Sequence, residues 1–459
     1  MNQPLDRDDA FVSTRRVYIE TYGCQMNVYD SHAVRDGLRT AGWSEVDSPA
    51  DADLILMNTC AIRDNAETRV LGRIGELQRY KYDRPDVRIG VLGCMAQRLG
   101  EELHAKRKAV DLVVGTDNYQ RLADLVEENL RTGQPQFDLE VDGEVTYEAE
   151  PETAPTNNSH FVSITQGCDY RCTFCVVPST RGVLRHKHPD VVIREAEKIV
   201  GVGGEEITLL GQNVTAYRHP EASFAELIAR VARVDGIRRV RFLTSHPTDF
   251  PEETLQAIAR HDEISPWLHM PIQSGSDRML RRMKRGHKLA EYMQVVERAR
   301  ELCPDATFST DVIVGFCGET DEDFEATLRV MEQVRYDSAF MFKYSERPGT
   351  PASRLPDDVP EAVKDERLQR LIRHQDAIWR TIAQGCVGEE WTVAIEGTDH
   401  KGRGFHRGRT LNNRKVLVPR RPGVNVGDEL RVRVTGFEGT NFFGEPQALV
   451  RKADRVVAA

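Results

Sequence analysis

The 459-residue sequence lacks any continuous apolar run of the roughly 18 residues that a membrane-spanning helix needs. Residues 1–14 are polar and acidic, so they resemble neither a secretion signal nor a transit peptide, and we expect them to be disordered. These absences predict a cytoplasmic protein with no membrane partner. Cytoplasmic thiols stay reduced, so clustered cysteines indicate metal ligands or reactive thiols rather than disulfides.

The sequence also lacks an excess of positive charge. Its 62 Lys and Arg residues are outnumbered by 72 Asp and Glu residues, which gives a net charge of −10. This balance argues against a protein that coats nucleic acid non-specifically, but it does not exclude local basic patches. The length predicts about two to four domains, with enough core to fold without disulfides.

One short segment contains three of the nine cysteines, Cys168, Cys172 and Cys175, at C-x3-C-x2-C spacing. Three thiolates so close together can hold three irons of a cubane cluster and leave the fourth iron open to another ligand. A zinc site would usually need a fourth nearby Cys or His, and none follows before His186. A chance structural cluster of cysteines is the alternative. The spacing, after a predicted strand at Ser159–Thr165, resembles the radical S-adenosylmethionine (SAM) superfamily, in which SAM binds the open iron.

The first third of the chain alternates between strand and helix patterns. Strands are predicted at Arg16–Tyr22, Ala52–Asn58, Val87–Leu92 and Val110–Val114, and helices at Ser31–Ala41, Ala66–Tyr80, Ala96–Lys106 and Tyr119–Arg131. This alternation predicts an α/β domain over residues 15–137 with a doubly wound parallel sheet.

Cys24, Cys60 and Cys94 each follow one of the first three predicted strands. They should therefore share the carboxyl edge of the sheet, where α/β proteins bind ligands. A single buried cysteine is usually structural, but three at equivalent positions favour ligands of a second iron–sulfur cluster. Residues 138–158 are acidic and contain two prolines, and we interpret them as a linker.

A second alternation begins at Ser159 and comprises six β/α repeats. Its later strands are predicted at Glu206–Leu210, Arg238–Leu243, Trp267–Pro271, Thr307–Val314 and Ser338–Tyr344. The pattern predicts a partial (β/α)6 barrel of the TIM type over residues 159–385. In such barrels the loops after the strands build the active site.

Residues directly after these strands are candidate SAM contacts. They are Gly211, Gln212, Asn213, Ser245, His246 and Gln273. Turn chemistry alone is the alternative for each of them. Asp311 lies within a barrel strand, where an ionised carboxylate needs a partner, and a ribose hydroxyl of SAM would serve. Cys303, Cys317 and Cys386 have no ligand spacing and are interpreted as structural.

From Glu389 the hydrophobic period changes to two. Strands predicted at Trp391–Ile395, Arg409–Val418, Leu430–Thr435 and Asn441–Leu449 indicate a small antiparallel, OB-like β-barrel over residues 386–452. Residues 401–421 hold eight Lys or Arg and no acid. A solvated face is one explanation, and we favour RNA phosphate binding. The candidate residues are Lys401, Arg403, Arg407, Arg409, Arg414 and Lys415.

Several longer motifs resemble one family within the radical-SAM superfamily, the methylthiotransferases. They are Thr21-Tyr22-Gly23-Cys24-Gln25-Met26-Asn27, Asn58-Thr59-Cys60, Gly93-Cys94-Met95-Ala96-Gln97-Arg98, Leu209-Leu210-Gly211-Gln212-Asn213-Val214, Thr244-Ser245-His246-Pro247, Gln273-Ser274-Gly275-Ser276 and Tyr344-Ser345-Glu346-Arg347-Pro348-Gly349-Thr350. The resemblance spans residues 15–450 and is strongest to the MiaB branch, through the Tyr-Gly-Cys-Gln-Met-Asn run. Gly408-Arg409-Thr410-Leu411-Asn412-Asn413 resembles the signature of the TRAM RNA-binding domain. Cys317 departs from the family, which usually has proline there.

The resemblance implies an enzyme with two 4Fe-4S clusters and SAM. Cys168, Cys172 and Cys175 would be catalytic and hold the cluster that cleaves SAM to a 5′-deoxyadenosyl radical. Cys24, Cys60 and Cys94 would hold the cluster that carries sulfur, and a second SAM would methylate it. The implied reaction is methylthiolation of carbon 2 of N(6)-dimethylallyladenosine beside the tRNA anticodon. The implied partners are the anticodon stem-loop, an electron donor such as flavodoxin or ferredoxin, and a sulfur donor.

Three alternatives stay open at this point. In the first, the substrate would be threonylcarbamoyladenosine in tRNA, and in the second an aspartate of a ribosomal protein. In the third, the chain would be a non-enzymatic iron–sulfur RNA-binding protein. The basic C-terminal barrel favours RNA over a protein substrate. The polar rim of the predicted barrel argues against a simple electron carrier, which needs no such cavity.

Overall fold

A computed structural model describes residues 15–61, 64–143, 146–150, 158–399 and 401–453. The chain divides into two compact units, Met1–Val141 and Asp142–Ala459. The predicted disorder of residues 1–14, and much of the predicted 138–158 linker, lie outside the described residues. Within the described part of the chain, no helix has both the length and the apolar character to cross a membrane.

The first unit is built on a six-stranded, all-parallel sheet with the strand order β2-β1-β3-β4-β5-β6. Its strands are β1 (Arg16–Thr21), β2 (Ser44–Glu45), β3 (Leu54–Thr59), β4 (Arg88–Gly93), β5 (Leu112–Val114) and β6 (Gln136–Asp138). Its helices are α1 (Gln25–Thr40), α2 (Asp64–Leu77), α3 (Tyr80–Asp83), α4 (Cys94–Leu99), α5 (Glu101–Lys106) and α6 (Leu122–Thr132). Every residue of β3 is buried, as expected for a strand covered on both faces of a parallel sheet. The predicted parallel sheet is confirmed.

Several details of the first unit differ from the sequence prediction. Helix α1 begins at Gln25, six residues before the predicted Ser31, because Cys24 and Asn27 form a capping box there. The two-residue strand β2 and the edge strand β6 were not predicted, since such short segments show little periodicity. Strand β6 extends through Asp138, which the prediction assigned to the linker.

The second unit begins with six parallel strands in chain order, grouped as β7-β10-β13 and β14-β15-β16 and joined by a parallel bridge between Val240 and Ile264. The strands of this region are β7 (Ser159–Ser163), β8 (Thr165–Gln166), β9 (Arg185–His186), β10 (Glu206–Leu210), β11 (Arg218–His219), β12 (Ala222–Ser223), β13 (Arg239–Phe242), β14 (Trp267–His269), β15 (Thr307–Val314) and β16 (Ser338–Lys343). Its helices are α7 (Val177–Arg181), α8 (Pro189–Gly201), α9 (Phe224–Ala232), α10 (Glu252–Arg260), α11 (Asp277–Arg282), α12 (Leu289–Leu302), α13 (Asp321–Val334) and α14 (Glu361–Gly385). Parallel strands that alternate with helices agree with the α/β class predicted for this region, and we keep the name partial barrel for it.

The C-terminal part of the second unit is a closed five-stranded barrel with the order β17-β18-β19-β21-β20. Its strands are β17 (Glu390–Thr398), β18 (Phe405–Arg409), β19 (Lys415–Pro419), β20 (Glu429–Glu438) and β21 (Asn441–Arg451). Two predictions are wrong here. The barrel is not entirely antiparallel, because β19 and β21 pair in parallel. The predicted strand Arg409–Val418 is instead a strand end, a turn and a second strand, with Asn413 at φ +70°.

Candidate active site

The three cysteines of the first unit follow β1, β3 and β4, which are neighbours in the sheet. Cys24 is the N-cap of α1, Cys60 directly follows β3, and Cys94 is the first residue of α4. The strand order reverses between β1 and β3, and ligands of open α/β sheets bind at such a point. The predicted convergence of the three segments at one sheet edge is therefore observed.

Two glycines allow these segments to approach each other closely. A Cβ on Gly23 would lie 2.7 Å from the Cβ of Cys60, and Gly23 has φ +144°. A Cβ on Gly93 would lie 2.6 Å from the carbonyl oxygen of Thr59, and Gly93 has φ +90°. At both positions a side chain would occupy the space between the neighbouring segments, so glycine is required there. The donor set and the close packing fit a cluster held by three thiolates.

Two buried asparagines fix two of these segments, those that carry Cys24 and Cys60, to each other. Asn27 Nδ2 donates to Asn58 Oδ1 (3.2 Å) and to the carbonyl oxygen of Thr59 (3.3 Å). Asn58 Nδ2 donates in turn to the carbonyl oxygen of Asn27 (2.9 Å), and the backbone N–H of Cys24 donates to Asn27 Oδ1 (3.2 Å). Because these amides are fully buried, they hold Cys24 and Cys60 in one relative position. The N-terminus of the 16-residue α1 also favours a thiolate at Cys24.

In the second unit, Cys168, Cys172 and Cys175 lie on the loop between β8 and α7. This cysteine loop, residues 167–176, is held by backbone hydrogen bonds at two points. Cys168 N donates to Gly182 O (3.2 Å), and Thr173 N donates to Met283 O (2.9 Å). A Cβ on Gly167 would overlap the carbonyl oxygen of Val183, so only glycine fits at the start of the loop.

Burial and the neighbouring thiols favour the protonated form of two thiols of this loop, Cys168 and Cys175. The pKa is raised to about 11 at Cys168 and to about 12 at Cys175, mainly by burial and in smaller part by the neighbouring thiols. Arg285 opposes these shifts, and its Nη1 donates to Cys172 Sγ at 3.4 Å. Thiols with raised pKa values need a cationic centre to become thiolates, and the three-cysteine donor set of this loop fits an iron–sulfur cluster.

Around the cysteine loop lie buried polar atoms that have no hydrogen-bond partner among the described residues. They are both amide atoms of Gln166, Ser245 Oγ, His246 Nε2, Gln273 Oε1, Arg285 Nε and His287 Nε2. Buried polar groups normally have a partner. Thr244 and Gln273 also have positive φ angles of +72° and +69°, which non-glycine residues adopt at a cost and often at binding sites. A polar ligand such as SAM fits this set of atoms.

Of the predicted SAM contacts, Ser245, His246 and Gln273 present such atoms, whereas Gln212 and Asn213 already have partners in the chain. Gln212 Oε1 accepts from Gly167 N at 2.7 Å, which holds the cysteine loop. Asn213 Nδ2 donates to Asp249 Oδ2 at 2.6 Å. A Cβ on Gly211 would overlap the hydroxyl of Thr165, so this glycine permits close packing of two strand ends.

Asp311 lies on β15, and a histidine on β14 accompanies it. His269 Nε2 is 3.7 Å from Asp311 Oδ1, and His269 Nδ1 is 2.9 Å from Ser309 Oγ. Burial lowers the pKa of His269, although Asp311 raises it, so the ring is held toward its neutral form. The partner expected for Asp311 is thus already in part supplied by the chain.

The sequence analysis missed several residues of this site. Tyr170, inside the cysteine loop, stacks on His246 with ring centroids 3.7 Å apart and an interplanar angle of 11°. Burial, with Arg285 and His287 nearby, lowers the pKa of His246 to about 2, so this ring stays neutral. Tyr170 stands inside the cysteine motif, which was a usable signal. Arg285 and His287 have no such signal, since they reach the loop only through tertiary packing.

The three cysteines predicted to be structural are all buried. Cys303 and Cys386 lie in the apolar cores of the partial barrel and of the C-terminal barrel, respectively. Cys317 packs with Phe316, Tyr344 and Met283, in a small apolar group that also contacts Phe174 of the cysteine loop. The environment of Cys317 is therefore apolar, and it can accept either a thiol or the proline that the family usually has.

The predicted RNA-binding residues have different surroundings. Lys401 and Lys415 are exposed. Arg403 pairs with Asp399 at 2.8 Å, and Arg407 lies 3.9 Å from Glu396. Arg409 bonds to Glu396 at 3.0 Å and to Asn413 Oδ1 at 2.6 Å, whereas Arg414 pairs with Asp337 at 3.3 Å.

The turn Arg409–Arg414 contacts the amino ends of the partial-barrel strands. Its carbonyl oxygens accept hydrogen bonds from Arg239 (to Arg409 O, 3.2 Å), Arg241 (to Thr410 O, 3.3 Å), Ser265 (to Leu411 O, 2.6 Å) and Thr307 (to Asn412 O, 2.6 Å). The cysteine loop lies at the opposite, carboxyl ends of these strands. We call residues 409–414 the docking turn.

Comparison with known proteins identifies two matching families. Residues 162–331 match the radical SAM superfamily, and residues 16–115 match a family described as uncharacterized protein family UPF0004. The two matched segments contain the cysteines of the second and the first unit, respectively.

Curated relatives match over most of the chain. A tRNA-2-methylthio-N(6)-dimethylallyladenosine synthase from Symbiobacterium thermophilum is 43% identical over 413 residues, which cover 86% of this chain and 88% of the relative. Proteins of the same name from Methylococcus capsulatus (43% identity, 92% and 93% covered) and Syntrophotalea carbinolica (40% identity, 93% and 99% covered) are similarly related.

Among solved structures, the radical S-adenosylmethionine methyltransferase TsrM from Kitasatospora setae matches with a TM-score of 0.56 at 14% identity, over 84% of this chain and 79% of that chain. At this identity the likeness shows the fold alone.

Proposed function

Because the chain belongs to the family of tRNA-2-methylthio-N(6)-dimethylallyladenosine synthases, we propose that it transfers a methylthio group to carbon 2 of N(6)-dimethylallyladenosine beside the anticodon of tRNA. It is a radical-SAM enzyme that uses SAM and 4Fe-4S clusters. We assign Cys168, Cys172 and Cys175 to the SAM-binding cluster. Cys24, Cys60 and Cys94 are assigned to the second cluster.

The carbon–hydrogen bond at position 2 of adenine is not acidic, so no general base of the chain can remove this hydrogen as a proton. When bound, the clusters and SAM supply the radical and sulfur chemistry that the side chains lack. The share of the protein is to hold and orient these groups. Arg285 fixes the sulfur of Cys172, and Gln212 fixes the loop through Gly167 N.

The rim residues bind and shield the reacting groups. Ser245, Gln273 and Gln166 carry buried polar atoms that fit the polar groups of SAM. The ring of Tyr170, which belongs to the cysteine loop, stacks on His246, and the two rings would shield bound groups on that side. His246 remains neutral near Arg285, so it binds by hydrogen bonding without adding positive charge.

One observation carries this proposal: buried polar atoms without partners surround the three thiols of the cysteine loop, at the carboxyl ends of the barrel strands. A structural metal site would need only the thiols. The additional polar atoms support a bound small molecule at the same place.

We propose the anticodon stem-loop of tRNA as the macromolecular partner, because its unpaired bases can leave the stack and enter a pocket. The reaction also needs an electron donor, such as flavodoxin or ferredoxin, and a sulfur donor. These partners are consistent with the cytoplasmic location that the sequence predicts.

The proposal is tested with protein reconstituted anaerobically with iron and sulfide. The reconstituted protein is incubated with SAM, a reductant and an anticodon stem-loop bearing N(6)-dimethylallyladenosine, and the nucleosides are analysed by mass spectrometry. We expect the 2-methylthio nucleoside from the wild type and none from Cys172→Ala. Cys303→Ala is the matched control, because it removes a buried thiol far from the loop in sequence, and it should keep the activity.

If methylthio product forms on threonylcarbamoyladenosine or on a ribosomal-protein aspartate and none forms on the prenylated RNA, the proposed substrate is wrong. Cleavage of SAM without methylthio product on any of the three substrates would contradict the transferase assignment.

A further inference from the structure

Two phenylalanines on the last strand of the partial barrel are unusually exposed. Phe340 is 51% exposed and Phe342 is 41% exposed, although both stand within β16. Large apolar side chains grouped on a strand are rarely left open to solvent without a binding partner. We call these two residues the aromatic pair.

The aromatic pair lies on the inner face of the partial barrel. Side chains alternate along a strand, and the intervening Ala339 and Met341 pack against the core between sheet and helices. Phe340 is in register with Asp311 and Phe342 with Ile313 on β15. The pair therefore shares the inner face with Asp311, a candidate SAM contact.

The neighbours of the pair connect it to the cysteine loop. Ile313, beside Phe342, belongs to the same apolar group as Phe174, which stands between Cys172 and Cys175. The ring of Phe340 meets His269 edge to face, with centroids 5.9 Å apart. Among the described residues, β16 pairs only with β15, so its inner face can be approached from the open side of the barrel.

This wall suits a flat apolar ligand. Phenyl faces stack on any nucleobase, and a five-carbon dimethylallyl group on N6 adds apolar surface that gains from burial against them. A threonylcarbamoyl group or an aspartate side chain carries a carboxylate, and two phenyl rings offer it neither a positive charge nor a hydrogen-bond donor. The chemistry of the wall therefore distinguishes the proposed substrate from the two alternative substrates.

We propose that Phe340 and Phe342 bind the prenylated adenine and determine the preference of the enzyme for the dimethylallyl group. This inference rests on the proposed function and deepens it. It assigns the specificity to two residues that no sequence motif marks.

The test compares two anticodon stem-loops of the same sequence, one with N(6)-dimethylallyladenosine and one with unmodified adenosine. Affinity is measured by fluorescence anisotropy on the reconstituted protein, and kcat/KM is measured for methylthio product on each RNA. The wild type should prefer the prenylated RNA by about tenfold or more, as apolar pockets do for small alkyl groups. Phe340→Ala and Phe342→Ala should bring the ratio of kcat/KM between the two RNAs toward one, mainly by weakening the binding of the prenylated RNA.

Two further variants separate the possible roles of the pair. Phe342→Leu keeps an apolar side chain and should retain part of the preference. Tyr82→Ala removes an aromatic side chain that is 76% exposed in the first unit, and it should leave both RNAs unaffected.

An unchanged preference in both alanine variants would overturn the inference, and so would an equal loss on both RNAs with a lowered melting temperature. Dimerisation of the wild type that the alanine variants abolish, with no change in preference, would assign the surface to a second copy of the chain and also overturn it. If the proposed function itself is wrong, the wild type makes no methylthio product on either RNA, which is a different result from any of these.

Discussion

At the scale of single residues, the cysteine loop depends on a glycine as much as on its thiols. Gly167 has φ +74°, and its Cα faces the carbonyl oxygens of Gly182 and Val183. The N–H of the same residue donates to Gln212 Oε1. Any side chain here must push the loop away from Gly182 and Val183 and so displace Cys168.

Gly167→Ala should therefore lose iron from the SAM-binding cluster and lose SAM cleavage, while the first-unit cluster stays loaded. The alanine adds a backbone clash to the ordinary cost of a left-handed residue, about 1–2 kcal/mol. Gly423→Ala is the matched control, because Gly423 has φ +80° in the same unit and a Cβ there meets no atom within 4 Å. Iron and SAM cleavage are measured on both variants. Equal iron content in the two would contradict the steric argument.

The residues of the site differ in how far the sequence predicts them. The six cysteines could be predicted as candidate ligands because their positions depend on local spacing and on strand ends, which the sequence shows directly. Arg285 and His287 were not found, because they follow α11, an unpredicted helix of six residues, and reach Cys172 and His246 only through packing. Local sequence patterns therefore predict candidate ligands better than they predict the residues that pack around them.

At the scale of elements, regular β/α repeats were predictable and the docking turn was not. The bounds of β10 and β15 agree with the prediction to the residue, since glycine or proline signals flank both strands. The docking turn was read as strand because residues 414–418 continue the alternation. Asn412-Asn413 was the overlooked signal, because asparagine tolerates the left-handed conformation that Asn413 adopts.

The docking turn changes the expectation for Arg414. Its guanidinium pairs with Asp337 at 3.3 Å and lies over the ring of Trp391 at 5.3 Å, with 19% of its side chain exposed. We expect Arg414→Ala to lower the free energy of unfolding by about 1.5–3 kcal/mol, the range for a hydrogen bond between charged groups. Its effect on RNA affinity should be small. Thermal unfolding and RNA titrations at several salt concentrations measure the two effects.

Lys401→Ala is the contrasting variant, because Lys401 is exposed on the same barrel. If Lys401 contacts phosphate, its loss should weaken RNA binding and reduce the salt slope by about one, without a change in stability. A large loss of RNA affinity in Arg414→Ala, at unchanged melting temperature, would restore the RNA-binding role that the sequence suggested for this arginine.

At the scale of the whole molecule, the two triplets of cysteines belong to different compact units. Cys24, Cys60 and Cys94 lie in the unit Met1–Val141, and Cys168, Cys172 and Cys175 lie in the unit Asp142–Ala459. Each unit has its own parallel sheet and its own hydrophobic core. We therefore expect that a candidate ligand of one cluster can be removed without disturbing the fold that holds the other cluster.

Cys94→Ala tests this division of labour. Its iron content should fall from about eight to about four per chain, because one of two 4Fe-4S clusters is lost. SAM cleavage should persist, since the cysteine loop and its polar rim are intact, while methylthio formation should stop. Iron analysis, 5′-deoxyadenosine release and nucleoside mass spectrometry measure the three quantities, and Cys386→Ala serves as a control for the loss of a buried thiol. Loss of SAM cleavage together with methylthio formation would mean that Cys94 supports the structure rather than a sulfur-carrying cluster.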